Sequence, residues 1–110
     1  MGGYAHISTL IARLRAAAGA ANTLLVDGDS RHGSWTAHTT QGAAMVAMAN
    51  MLGVDAMTSH LKMTYGEEKL RTNLANFKGS FLAQNVFLTD EAAFSGAEAF
   101  DPDSGRVFGP

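Results

Sequence analysis

Apolar residues recur at helical spacing at Ile7, Leu10, Ile11 and Leu14, with Arg13 and Arg15 on other faces and Gly19 behind them as a stop. The spacing predicts a helix from about Gly3 to Ala18, and its alanine-rich end predicts close packing against a sheet. Asn22 and Thr23 then lead into Leu24-Leu25-Val26, a run of large apolar residues too short for an independent helix and readable as a buried strand. The polar stretch from Trp35 to Gln41 reads as a loop or the first turn of a helix. A second helix is predicted from about Gly42 to Leu52, with Met45, Met48 and Leu52 on one side, Val46 and Ala49 widening that face, and Gly53 as its left-handed cap. Met51 and Met57 add to this group of methionines, which is read as filler of irregular core space rather than a binding groove.

Val54 to Thr58 is a second short apolar strand, ending in the polar residues Thr58-Ser59-His60. Thr64-Tyr65-Gly66-Glu67 has the form of a capping box, so a third helix is expected to begin there. Leu70, Leu74 and Phe77 give it an inward face, Glu67 and Arg71 an ion pair one turn apart, and Gly79 an end. Phe81 to Phe87 reads as a third strand, and from Thr89 the chain turns irregular and acidic, with a turn over Asp101-Pro102-Asp103-Ser104-Gly105. Helix and strand alternate throughout. That order predicts an α/β fold, a mainly parallel sheet with helices packed on its faces.

Composition narrows the function. A chain of 110 residues is one domain or a piece of one, and 46% apolar content argues against disorder. A net charge of −2 gives no electrostatic case for nucleic acid or an anionic membrane surface. The absence of cysteine removes thiolate metal sites, disulfides and cysteine nucleophiles. No apolar segment is long enough to span a bilayer, and the N-terminal residues, which run straight into an amphipathic pattern containing arginines, do not read as a signal peptide.

The chemistry concentrates where the strands end. The first strand runs into Asp27-Gly28-Asp29-Ser30, two acids around one glycine, with Gly28 expected to make a sharp turn. Open α/β sheets gather ligands outside the carboxyl ends of their strands, and paired carboxylates there suit a hard or borderline cation. The plainer alternative is that Asp27 and Asp29 only shape a turn and cap the next element. If the sheet is parallel, Asp29 and His60 leave it at the same rim, and a carboxylate with a neutral imidazole is a plausible ligand pair for zinc or manganese. Two ligands do not complete a site, and a lone histidine is more often structural. His6 and His38 are read as structural, whereas His32, nearer the acids, stays open. A Ser30–His60–Asp27 triad is rejected, because the nucleophile-elbow spacing Gly-x-Ser-x-Gly is absent. Neither a P-loop nor a dinucleotide fingerprint is present.

Taken together, Gly2-Gly3-Tyr4-Ala5-His6, Leu24-Leu25-Val26-Asp27-Gly28-Asp29-Ser30, Leu52-Gly53-Val54-Asp55, Thr64-Tyr65-Gly66, Phe81-Leu82-Ala83-Gln84-Asn85-Val86-Phe87 and the run from Phe100 to Phe108 resemble the SoxB family of thiosulfohydrolases, relatives of the 5′-nucleotidases. Each motif is weak alone, but their order and spacing make the combination fairly specific. The resemblance covers essentially the whole sequence but only an N-terminal portion of the much longer family proteins. It implies that residues 1–110 are a single partial domain, the N-terminal part of a metallophosphoesterase-type layered sandwich.

By the same resemblance the complete enzyme would hold two manganese ions, with zinc or another divalent metal as alternatives. It would act in the periplasm on a sulfur-carrier protein of the Sox system, removing sulfate from a cysteine adduct. Asp29 falls at the acid that resembles the metal-bridging ligand, His60 falls where related nucleotidases have a ligating asparagine, and Asp27 would support the strand end from behind. The family's Asp-x-His motif and its later histidine ligands have no counterpart here, so these residues by themselves are expected to be inactive. Three departures fall near the implied site. One glycine rather than two separates the acids, Arg31-His32 replaces a Trp-Gln pair, and Ser59-His60-Leu61-Lys62-Met63 replaces Gly-His-Trp-Glu-Phe. Lys62 in place of an acid adds positive charge near the implied cation. A 5′-nucleotidase or other phosphoesterase, and a non-catalytic α/β module with a decayed site, are the competing expectations.

Overall fold

Two short strands run side by side in the same direction, β1 (Val26–Gly28) and β2 (Ala56–Thr58), with Val26 opposite Ala56, Asp27 opposite Met57 and Gly28 opposite Thr58. The third strand, β3 (Ser80–Phe81), completes a sheet of order β1-β2-β3. The computed structural model describes residues 3–28, 34–58, 65–83, 85–99, 103, 104 and 107. The helical elements are, in chain order, α1 (Gly3–Ala18), a single 3₁₀ turn (Ala20–Asn22), α2 (Trp35–Thr39), α3 (Ala43–Leu52), α4 (Glu67–Ala75) and α5 (Asp90–Phe94). Helix and strand alternate as the hydrophobic pattern predicts, and the crossover from β1 to its parallel neighbour passes through α2 and α3. The chain divides into two compact units, residues 1–80 and 81–110.

In the first unit the buried apolar side chains come from the middle of the chain: Ala37 of α2, Met45, Val46 and Ala49 of α3, Val54 before β2, Ala56 and Met57 of β2, Leu70 of α4, and Phe77. Met57 and Leu70 are the largest fully buried side chains. The helix predicted from Gly42 to Leu52 is α3, and Gly53 caps it in the left-handed region as expected (φ 70°, ψ 44°). Its methionines divide. Met45 and Met57 fill core space, whereas Met48 and Met51 are exposed, so the core reading holds for only part of the group.

The helix α1 matches its predicted bounds, yet none of its residues is buried. Tyr4, Ile11 and Arg15 form a half-buried stripe, while Ile7, Leu10, Leu14 and the terminal alanines Ala16 to Ala18 are exposed. Close packing of the alanine-rich end is therefore not what joins α1 to the rest. Polar contacts make that link instead: Tyr4 Oη donates to Met45 Sδ (3.6 Å), and Arg15 reaches the end of α3. Its Nη1 donates to the carbonyl of Leu52 (3.2 Å), and its Nη2 donates to the carbonyl of Gly53 (2.6 Å) and lies 3.4 Å from Asp55 Oδ2. The last carbonyls of a helix have no partner within it, and its C-terminal end is the negative end of the dipole, so a guanidinium there satisfies both.

Asp55 extends this junction into the sheet. Its Oδ2 accepts the Leu25 N–H (2.8 Å), its own N–H donates to the Leu25 carbonyl (2.9 Å), and its carbonyl accepts the Ser80 N–H (2.9 Å). One residue thus holds the lead-in to β1, the start of β2 and the start of β3. Gly79 lies against the same backbone: a Cβ there would stand 2.5 Å from the Asp55 carbonyl oxygen and 2.7 Å from that of Val54. The expectation that Gly79 ends the preceding helix is corrected, because α4 already ends at Ala75 with Asn76 as its cap. Gly79 is small because the strand beside it leaves no room.

Other boundaries shift for local reasons. β1 begins at Val26 rather than Leu24, because the Leu25 backbone is engaged by Asp55 before the ladder starts. The Trp35–Gln41 stretch includes a true short helix, α2, whose N-cap Ser34 accepts the Ala37 N–H (3.0 Å). The helix expected to begin at Thr64–Glu67 does begin there, although Thr64 itself lies outside the described residues. Gly66 is the N-cap of α4, without a side-chain bond, so Glu67 is the first helical residue rather than the third. The Glu67–Arg71 pair forms as predicted (2.9 Å), on an exposed face. Leu70 and Phe77 turn inward, and buried Asn73 uses its Nδ2 to hold the Gln41 carbonyl (2.8 Å) at the turn between α2 and α3.

In the second unit the expected strand over Phe81–Phe87 keeps only its ends: Phe81 belongs to β3 and Phe87 forms an isolated bridge. Asn85 lies in a turn, and the Val86 carbonyl accepts the Val107 N–H (3.0 Å). The irregular segment expected after Thr89 instead opens with α5, where Thr89 caps by accepting the Ala92 N–H (3.2 Å) and Asp90 and Glu91 sit in the first turn. Asp103 and Ser104 lie in a turn, as predicted.

Replacing Arg15 by Met keeps its aliphatic bulk and removes its donors, and should cost about 1.5–3 kcal/mol in urea unfolding, the range for hydrogen bonds to charged groups. Removing the exposed Glu67–Arg71 pair should cost under about 0.5 kcal/mol. Equal effects would contradict the role given to Arg15.

Candidate functional site

The rim formed by the carboxyl ends of β1 and β2 is where the predicted ligands leave the sheet. Because the strands are parallel and Gly28 stands opposite Thr58, both chains exit side by side. Asp29 follows Gly28 by one residue and His60 follows Thr58 by two. Asp29 and His60 themselves, with Ser30, Arg31, His32 and Lys62, lie outside the described residues.

Of the predicted site residues, Asp27 is described. It is half-buried in the middle of β1, opposite Met57, and it lines a cleft of about 200 Å³ between α1 and β1 together with Tyr4, Ile11 and Leu25. Asp27 is thus a strand residue with mainly apolar neighbours along the cleft, and the turn it is expected to shape lies outside the described residues. Gly28 also departs from expectation. It is a strand residue without positive φ, and a Cβ on it would meet Thr58 Cγ2 at an ordinary 3.7 Å. The sharp turn predicted at Gly28 is not there, because the ladder with β2 continues through it.

Beyond the strand ends, the two connecting segments meet again. His38, in the last turn of α2, and Tyr65, just before α4, bring their rings to a centroid distance of 6.4 Å at 53°. The contact joins the chain downstream of β1 to the chain downstream of β2. Spacing in the sequence carries no signal for it, and Tyr65 reads there only as part of a capping box. Both His38 and His6, the latter on α1, are exposed.

The opposite rim is polar too, with a cleft of about 410 Å³ lined by Asn50, Asp55, Lys78 and Ser80 among others. Its groups serve the fold. Asn50 Oδ1 accepts the Lys78 N–H (2.8 Å), Asn50 Nδ2 donates to the Asn76 carbonyl (2.8 Å), and the Asp55 carboxylate holds Arg15 and Leu25. Among the described residues no three His, Asp, Glu or Cys side chains converge as a metal site requires. The described donor set alone therefore does not fit a metal centre, and Asp27 contributes a single carboxylate to it. Nor, among the described residues, is any helix long and apolar enough to cross a membrane.

No family model matches this chain, and no curated protein matches it. Among solved structures it is similar to the sulfate thiohydrolase SoxB of Thermus thermophilus in complex with glycerol, with 36% sequence identity and a TM-score of 0.66. The likeness covers 73% of this chain and 16% of that one, so the chain spans a small part of the length of the protein it matches. Over that stretch the alternating helix–strand units and parallel pairing are those of an α/β protein like SoxB.

The glycines of the two rims should respond oppositely to one added methyl group. Gly28→Ala should change unfolding free energy by less than about 1 kcal/mol, having room and an ordinary φ. Gly79→Ala should cost about 1–3 kcal/mol, as overpacking does. Chemical denaturation of both variants checks this, and a severe loss at Gly28 would restore a turn there.

Proposed function

We propose that residues 1–110 are part of the catalytic domain of a SoxB-like metal-dependent hydrolase, its N-terminal portion. The observation that carries this reading is the likeness to SoxB in both sequence and fold over 73% of the chain. Two features support it. The parallel register of β1 and β2 brings the exits toward Asp29 and His60 to one rim. The apolar flank of α1 and the exposed Leu24 and Val26 suit a layer that packs against more protein.

In this reading Asp29 and His60 are ligands of a divalent metal, manganese or zinc, and Asp27 steadies the strand end behind them. Metal ions in such a centre supply an acidified water and positive charge toward an anionic leaving group. The substrate is a thiosulfate-derived cysteine adduct on a sulfur-carrier protein, from which sulfate is released, and the compartment is the periplasm. A second reading, a non-catalytic module on the same fold, draws on Lys62 and on the single glycine between the acids.

Manganese titration of this chain, followed by calorimetry, separates the two readings. We expect at most one equivalent of weak binding, lowered about tenfold or more in Asp29→Ala and in His60→Ala and unchanged in His6→Ala. Binding that ignores Asp29 and His60 would favour the non-catalytic module, and two tightly held ions would contradict an incomplete ligand set. Grafting residues 1–110 in place of the matching segment of SoxB tests the chemistry. Retained sulfate release supports the proposed reaction, and phosphate-ester hydrolysis alone would assign the segment to a phosphoesterase.

A further inference from the structure

We draw no further inference here: the strongest candidate, the exposed apolar flank of α1 (Ile7, Leu10 and Leu14) with Leu24 just before β1 and Val26 of that edge strand, carries nothing beyond the larger domain already proposed, because nothing in the structure shows which element covers it.

Discussion

The junction of Arg15 with Asp55 is the constraint on which the arrangement of the first unit depends. α1 buries no residue, so the hydrophobic effect alone holds it weakly against the sheet. Arg15 compensates by reaching the end of α3 and the carboxylate that opens β2. Asp55 then passes the constraint on, binding the backbone ahead of β1 on one side and of β3 on the other. Gly53 and Gly79 complete the junction by staying small where the guanidinium and the neighbouring carbonyls crowd in. With the strand starts pinned in register, the opposite strand ends are aligned as well. The alignment of Gly28 with Thr58, where the two strands end, is therefore set from the far rim of the sheet.

That division of labour explains the placement of polar residues. Around Asp55 and Asn50 the polar groups find partners within the protein, which is the pattern of a structural network. At the other rim the strands end and the chain passes into polar segments, the ordinary position for ligands in parallel sheets. The His38–Tyr65 contact gives those segments a second point of attachment beyond the strands.

Much of the fold was legible from local pattern. The 3.6-residue periodicity found α1, α3 and the inward face of α4, and the Gly53 cap followed from residue type alone. Non-local effects were not legible. Nothing in the alanine-rich end of α1 announces that its contact is made by Arg15, nor that Gly79 answers to the backbone of Val54 and Asp55. The third strand reads as continuous because its aromatic and β-branched composition suits a ladder, whereas the pairing is interrupted after Phe81 and resumes only as a single bridge at Phe87. The short helix α5 is not legible because its Thr89 cap is a single-residue signal inside a polar stretch, and the Ser34 cap is the equally small signal that decides between loop and helix at Trp35–Gln41 in favour of α2. Of the site, the parallel exits were legible from helix–strand alternation, while the conformation of Gly28 was not, since glycine in a strand and glycine in a turn look alike in sequence.

The proposed function places a cation at the rim where β1 and β2 end and not at the Asp55 rim. Paramagnetic broadening of backbone amide signals by substoichiometric manganese tests this most directly, because the effect falls steeply with distance from the bound ion. The account predicts that Gly28 and Thr58 broaden first and together, with Asp55 and Lys78 spared. Broadening centred on Asp55 and Lys78, or spread without preference, would contradict it.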